Sequence, residues 1–111
     1  MDRWQRITVA ERIVLESLGP HTRIHALHLL SHFPDLTLTS GRRTAARNAA
    51  VGGSRRSYHL RGRAVDAVGP PDVLRRAATF ARTDRVGSRC TGPEEVLVHD
   101  NGSGLHLHVA W

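Results

Sequence analysis

A carboxylate stands in the middle of an otherwise apolar run, Ala64-Val65-Asp66-Ala67-Val68, and this constrains the fold more than any other feature of the chain. The small and β-branched residues around Asp66 read as a strand with at least one buried face. An ionised carboxylate taken out of water is costly unless it is hydrogen-bonded, paired or bound to a metal. The fold must therefore either surround Asp66 with donors or bring cationic or metal-ligating groups to it.

Two segments supply candidate partners. His59 lies seven residues before Asp66, and Gly62 between them permits a sharp bend that would turn both side chains to one point. Near the end of the sequence comes Leu105-His106-Leu107-His108-Val109. In a strand, His106 and His108 share one face while Leu107 and Val109 take the other. Taken alone, that pair also suits a solvated sheet face, and Asp66 alone also suits a buried acid with ordinary donors. Taken together, the two segments offer a His, Asp and His set. Three protein ligands with one open position is the usual arrangement of a catalytic zinc.

The rest of the chain predicts an α+β fold. Thr8 and Glu11 form a capping box ahead of a helix whose apolar positions are Val9, Ile13, Val14 and Leu18. Gly19-Pro20 stops it, and a second helix is expected from about Pro20 to Ser31, with Ile24, Leu27, Leu29 and Leu30 as its apolar positions. His21, His25, His28 and His32 line one face of that helix and read as a solvated or packing face. Such a spacing can in principle hold a metal, but the glutamate of helical zinc proteases is missing. A strand at Leu36–Thr39, a short helix over Arg43–Val51, the strand at Ala64–Val68 and a helix from Pro70-Pro71-Asp72 to about Arg82 follow. Asn101-Gly102-Ser103-Gly104 is a turn between strands at Glu95–His99 and Leu105–Trp111, so the chain closes in a β-hairpin. The expected architecture is a small antiparallel sheet with that C-terminal hairpin, flanked by helices.

At 111 residues the chain has room for one domain, expected to span 1–111. No apolar run is long enough to span a bilayer. The first residues are not followed by the apolar segment of a signal peptide. All sixteen basic residues are Arg and the net charge is +6, which suits an anionic partner. The arginines are scattered and not gathered into a stripe, so a nucleic-acid partner is not expected. A single cysteine, Cys90, excludes a disulfide within the chain and reads as a bystander in a polar loop.

The segment Ser57-x-His59-x-x-Gly62-x-Ala64-x-Asp66 resembles the zinc motif of the D-Ala-D-Ala carboxypeptidase and endolysin peptidases, the group that includes the hedgehog signalling fold. Thr39-Ser40-Gly41-Arg42-Arg43 and Asn48 to Ser54 are similar to the segment that precedes the first ligand in that family, and His108-Val109-Ala110-Trp111 is similar to its closing strand. The resemblance covers roughly Leu36 to Trp111. It implies a hedgehog/DD-peptidase-like fold and a Zn2+ ion held by His59, Asp66 and His108. It also implies that Arg43 contacts the carboxylate or backbone of the substrate, for which a guanidinium is well shaped, and that Ser57 supports the site.

The family usually carries a glutamate shortly before its last histidine, as general base. Here positions 105 and 106 are Leu and His. Folding the hairpin about residues 101–104 pairs Asp100 with Leu105, His99 with His106, Leu97 with His108 and Glu95 with Ala110. That register puts His106, His99 and Glu95 on the metal side and turns Asp100 away. The candidates for the base therefore rank as His106, His99, Asp100 and then Glu95. A neutral imidazole can accept a proton near pH 7, provided that it does not become a fourth ligand.

The expected activity is that of a monomeric zinc-dependent peptidase acting on peptidoglycan stem peptides as a carboxypeptidase or endopeptidase. Its place of action would be the bacterial cell wall, reached by phage-type lysis release if no leader is used. The alternative is a non-catalytic module on the same scaffold, stabilised by zinc and binding a wall fragment or a protein.

Overall fold

The computed structural model describes residues 3–54, 56–84, 92–100, 102 and 104–111. Cys90, most of the loop after residue 84, and residues 101 and 103 of the expected turn lie outside the described residues. The elements run in the order α1 (Val9–Ser17), α2 (Pro20–His32), β1 (Thr37–Ser40), α3 (Ala45–Ala50), β2 (Ala64–Val68), α4 (Pro71–Thr83), β3 (Glu95–Asp100) and β4 (Leu105–Ala110). Short 3-10 turns occur at Arg3–Arg6 and Tyr58–Arg61. The four strands form one antiparallel sheet in the order β1-β2-β4-β3. The α+β class with a C-terminal hairpin is the fold that the sequence predicts.

Alternation along the strands sorts the side chains into two populations. Leu38, Val65, Ala67, Leu107 and Val109 join Leu29, Leu30, Leu74, Ala77, Ala78 and Ala81 of α2 and α4 in one apolar core. Burying each large aliphatic side chain there contributes on the order of 2 kcal/mol. The intervening residues Asp66, His106 and His108 necessarily point to the opposite face. The hairpin register is Glu95↔Ala110, Leu97↔His108, His99↔His106 and Asp100↔Leu105.

Helix α1 is rotated relative to its apolar pattern. Val9 and Ile13 are 73% and 62% exposed, while Glu11, Leu15 and Leu18 are buried. The cause is Glu11. The capping box forms, with Glu11 N donating to Thr8 Oγ1 at 3.0 Å. The same carboxylate also pairs with the buried guanidinium of Arg3 and accepts from Leu38 N at 3.1 Å. Satisfying these polar groups inside the fold fixes the inward face of the helix.

In α2, Ile24 is exposed and His25 takes the inward position, stacked on Trp111 with ring centroids 5.0 Å apart. Burial pushes the His25 imidazole below its ordinary value of 6.5; neighbouring His21 adds to this and Asp84 opposes it. A base whose folded pKa is depressed binds its proton more readily when unfolded. Stability is therefore undiminished above the unfolded value of about 6.5 and falls as the pH drops through it, levelling off below the lowered folded value. The stability of wild type relative to His25→Leu, measured by urea unfolding, should decrease from pH 8 to pH 5. Parallel pH curves for the two chains would exclude this contribution.

Candidate metal centre

His59 is held by the 3-10 turn Tyr58–Arg61. Ser57 caps that turn, its hydroxyl accepting from His59 N at 3.2 Å. Gly62 ends it in the left-handed region at φ 66°. A Cβ at Gly62 would sit 3.1 Å from Ser17 O and 3.3 Å from Gly19 N, so both conformation and space favour glycine there. The reversal at Gly62 feeds the chain into β2 and carries Asp66 back beside His59. Strand β2 lies between β1 and β4, with Asp66 opposite Ser40 on one side and His108 on the other.

The three side chains that the motif singles out converge. Asp66 Oδ1 is 3.2 Å from His59 Nε2 and 3.0 Å from His108 Nδ1, and the two nitrogens are 3.3 Å apart. All three residues are buried. Among the described residues they form the group of three or more His, Cys, Asp and Glu side chains whose ligand atoms could hold one metal ion.

The donor set fits zinc. Bonds of about 2.0–2.1 Å at tetrahedral angles place ligand atoms about 3.3 Å from one another, which is close to the three separations found. The tautomer of His59 is also set. Its Nδ1 is 2.7 Å from the carbonyl oxygen of Gly41 and must donate, so Nε2 presents a lone pair to Asp66. A carboxylate and a lone pair facing each other in a buried place call for a cation between them.

The electrostatics agree. Burial alone would push the Asp66 carboxyl up, but the polar contacts and charge of the adjacent His108 and His59 imidazoles outweigh it and hold the group well below the usual carboxylate range. Burial would push His108 down; the hydrogen bond and charge of Asp66, helped by Glu95, reverse this and raise it.

The other candidates fall into distinct positions. The guanidinium of Arg43 donates from Nη2 to Asp66 Oδ2 at 2.8 Å and from Nη1 to Asn48 Oδ1 at 3.4 Å. His106 and His99 meet edge to face, centroids 4.4 Å apart, and both line the open cleft of about 750 Å³ above the three ligand-type residues. Glu95 lines it too, and its Oε1 lies 2.7 Å from His108 Nε2, close enough for an ion pair although poorly directed for a hydrogen bond. Asp100 faces the turn instead. Its Oδ1 accepts from Gly102 N at 2.8 Å and Gly104 N at 3.2 Å, and it is not among the residues lining the cleft.

Two contributors carry little signal in the sequence. The Gly41 carbonyl sets the His59 tautomer, and a backbone oxygen has no sequence signature. Asn48 is buried and donates to Ser54 O at 2.7 Å, tying the loop before Ser57 to α3. The remaining cleft wall is formed partly by the exposed apolar side chains of Ile13, Val51 and Leu97 and by half-buried Val14.

Compared with known proteins, the chain matches the family model described as Peptidase M15 over residues 21–100, most of its length. That span begins before the region of motif resemblance and includes His59 and Asp66; His108 lies beyond it and joins them through the pairing of β2 with β4. No curated protein and no solved structure matches the chain.

Proposed function

The chain belongs to the peptidase M15 family, whose members are zinc-dependent peptidases, and from that premise we propose that residues 1–111 form a single domain hydrolysing peptidoglycan stem peptides, as a D-Ala-type carboxypeptidase or an endopeptidase. The observation that carries this reading is the convergence of His59 Nε2, Asp66 Oδ1 and His108 Nδ1 within 3.0–3.3 Å of one another, at the floor of an open cleft.

In this proposal His59, Asp66 and His108 hold the zinc, which when bound supplies Lewis acidity toward water and the scissile carbonyl. The remaining roles belong to the chain itself. His106 Nδ1 lies 3.2 Å from Gly104 O, which favours the proton on Nδ1 and leaves Nε2 to accept one from the attacking water. His99 packs against His106 and is the next candidate for that transfer. Arg43 orients Asp66 through Nη2, while its longer Nη1 contact to Asn48 is the one a substrate carboxylate would displace. Ser57 fixes His59 through the turn. Asp100 serves the hairpin turn.

The experiment is a zinc count on the purified chain combined with assays of D-alanine release and crosslink cleavage from cell walls. One zinc per chain is expected. His106→Ala should retain that zinc and lose turnover by roughly 10²–10⁴-fold, the usual contribution of a positioned acid–base group. One firmly held zinc with no turnover on any wall would favour a zinc-stabilised binding module, the reading suggested by the missing glutamate before His108. No zinc would sink both.

A further inference from the structure

The histidines of α2 are not used by the site above, and the last turn of the helix has metal-binding geometry of its own. His28 Nε2 and His32 Nε2 lie 3.2 Å apart on adjacent turns. Two imidazole nitrogens bound to one ion at about 2.0–2.1 Å sit about 2.9–3.3 Å from each other, from right angles to tetrahedral ones. We infer that His28 and His32 form a second, two-histidine site for a divalent transition-metal ion, with water completing its coordination.

Three further features support the assignment. His28 Nδ1 is 3.0 Å from Asp84 Oδ2, a carboxylate at the end of α4 whose side chain is only 9% exposed. A carboxylate cannot donate here, so Nδ1 carries the proton and the Nε2 lone pair points toward His32. An acid behind the distal nitrogen of a ligating histidine is the usual outer partner of such a ligand. Both rings also pack against Phe80, with centroids 5.4 Å away for His28 and 4.6 Å for His32, which limits their rotation. Finally, the pair occupies the C-terminal turn of α2, where the unpaired carbonyls of the helix favour a cation.

Imidazole donors select the borderline ions copper(II), nickel(II) and zinc(II) over magnesium or calcium. Two protein ligands make the site weaker than the three-ligand centre, and no part of this inference depends on the peptidase reading. A bound ion would tie the end of α2, through His28 and Asp84, to the end of α4.

The test uses the untagged full chain, loaded with one equivalent of zinc so that only the stronger three-ligand centre is filled, and then titrated with copper(II), the strongest binder in the divalent series. Copper uptake is followed by electron paramagnetic resonance, with zinc counted in parallel. Wild type should take up one more copper than His32→Ala, with nitrogen hyperfine structure from two imidazoles and without loss of zinc. Asp84→Asn should weaken that uptake by roughly 10–100-fold, as loss of an outer carboxylate does. His21→Ala should leave it unchanged. His32 is exposed, so its removal is compatible with folding. Equal copper uptake by wild type and His32→Ala, or copper entering only as zinc leaves, would overturn the site.

Discussion

Asp66→Asn should lose its zinc and, in the metal-free state, unfold more readily than wild type. The first effect follows from what Asp66 does: its Oδ1 lies within 3.2 Å of both imidazole nitrogens and supplies the negative charge of the set. Changing a mere outer partner of a metal ligand typically costs 10–100-fold in affinity, so loss of the charged ligand itself should exceed roughly 100-fold. The second effect comes from Arg43. Its guanidinium, 2.8 Å from Asp66 Oδ2, would keep its charge and lose its counter-ion. Removing one partner of a buried pair costs about 3–5 kcal/mol; Arg43 retains 17% side-chain exposure, so the loss should lie toward the lower end. Zinc affinity by competition with a chelating dye, and urea unfolding of the metal-free chains, measure the two separately. Wild-type zinc affinity in Asp66→Asn would remove Asp66 from the centre.

The site was more legible in the sequence than its surroundings. Asp66 in an apolar strand and His108 in an alternating one announce their positions because strand parity is a local rule: knowing that Val65, Ala67, Leu107 and Val109 are core fixes the other face. The hairpin register follows from four turn residues. Helix α1 behaved differently. Its apolar spacing favours Val9 and Ile13, yet both are exposed. What turns the helix is a partner far away in the chain, the amide of Leu38, and no helical period can encode that. The same holds for Glu95. Parity puts it on the metal side, but whether its carboxylate reaches His108 Nε2 depends on the twist of the hairpin. His25 reads as one of four similar histidines, and only the arrival of Trp111 against it makes it a core residue.

Glu11→Gln should be among the most destabilising single substitutions in this protein. The Glu11 carboxylate performs three tasks at once. Its Oε2 pairs with the buried Arg3 guanidinium and accepts from Leu38 N, and its Oε1 reaches the Thr8 amide at 3.4 Å. Arg3 in turn donates to Leu36 O at 3.0 Å. Gln keeps the shape but not the charge, and leaves Arg3 as an uncompensated cation in the interior. The expected cost is about 3–5 kcal/mol, a large part of the roughly 5–15 kcal/mol that holds a domain together. At a few degrees per kcal/mol for a chain of this size, the melting temperature should fall by roughly 10–20 °C. The double variant Arg3→Met/Glu11→Leu removes both charges and should recover part of the loss, because a well-packed apolar pair can replace a buried ion pair; recovery stays incomplete since Leu38 N no longer has its acceptor. The consequence reaches the metal centre. Arg3 and Glu11 grip both ends of the Leu36–Leu38 segment, β1 runs from there to Ser40, and the carbonyl of the next residue, Gly41, sets the tautomer of His59. Glu11→Gln should therefore also weaken zinc binding below its melting transition, although it touches none of the three ligands. A variant that melts early yet binds zinc as wild type does would uncouple α1 from the site.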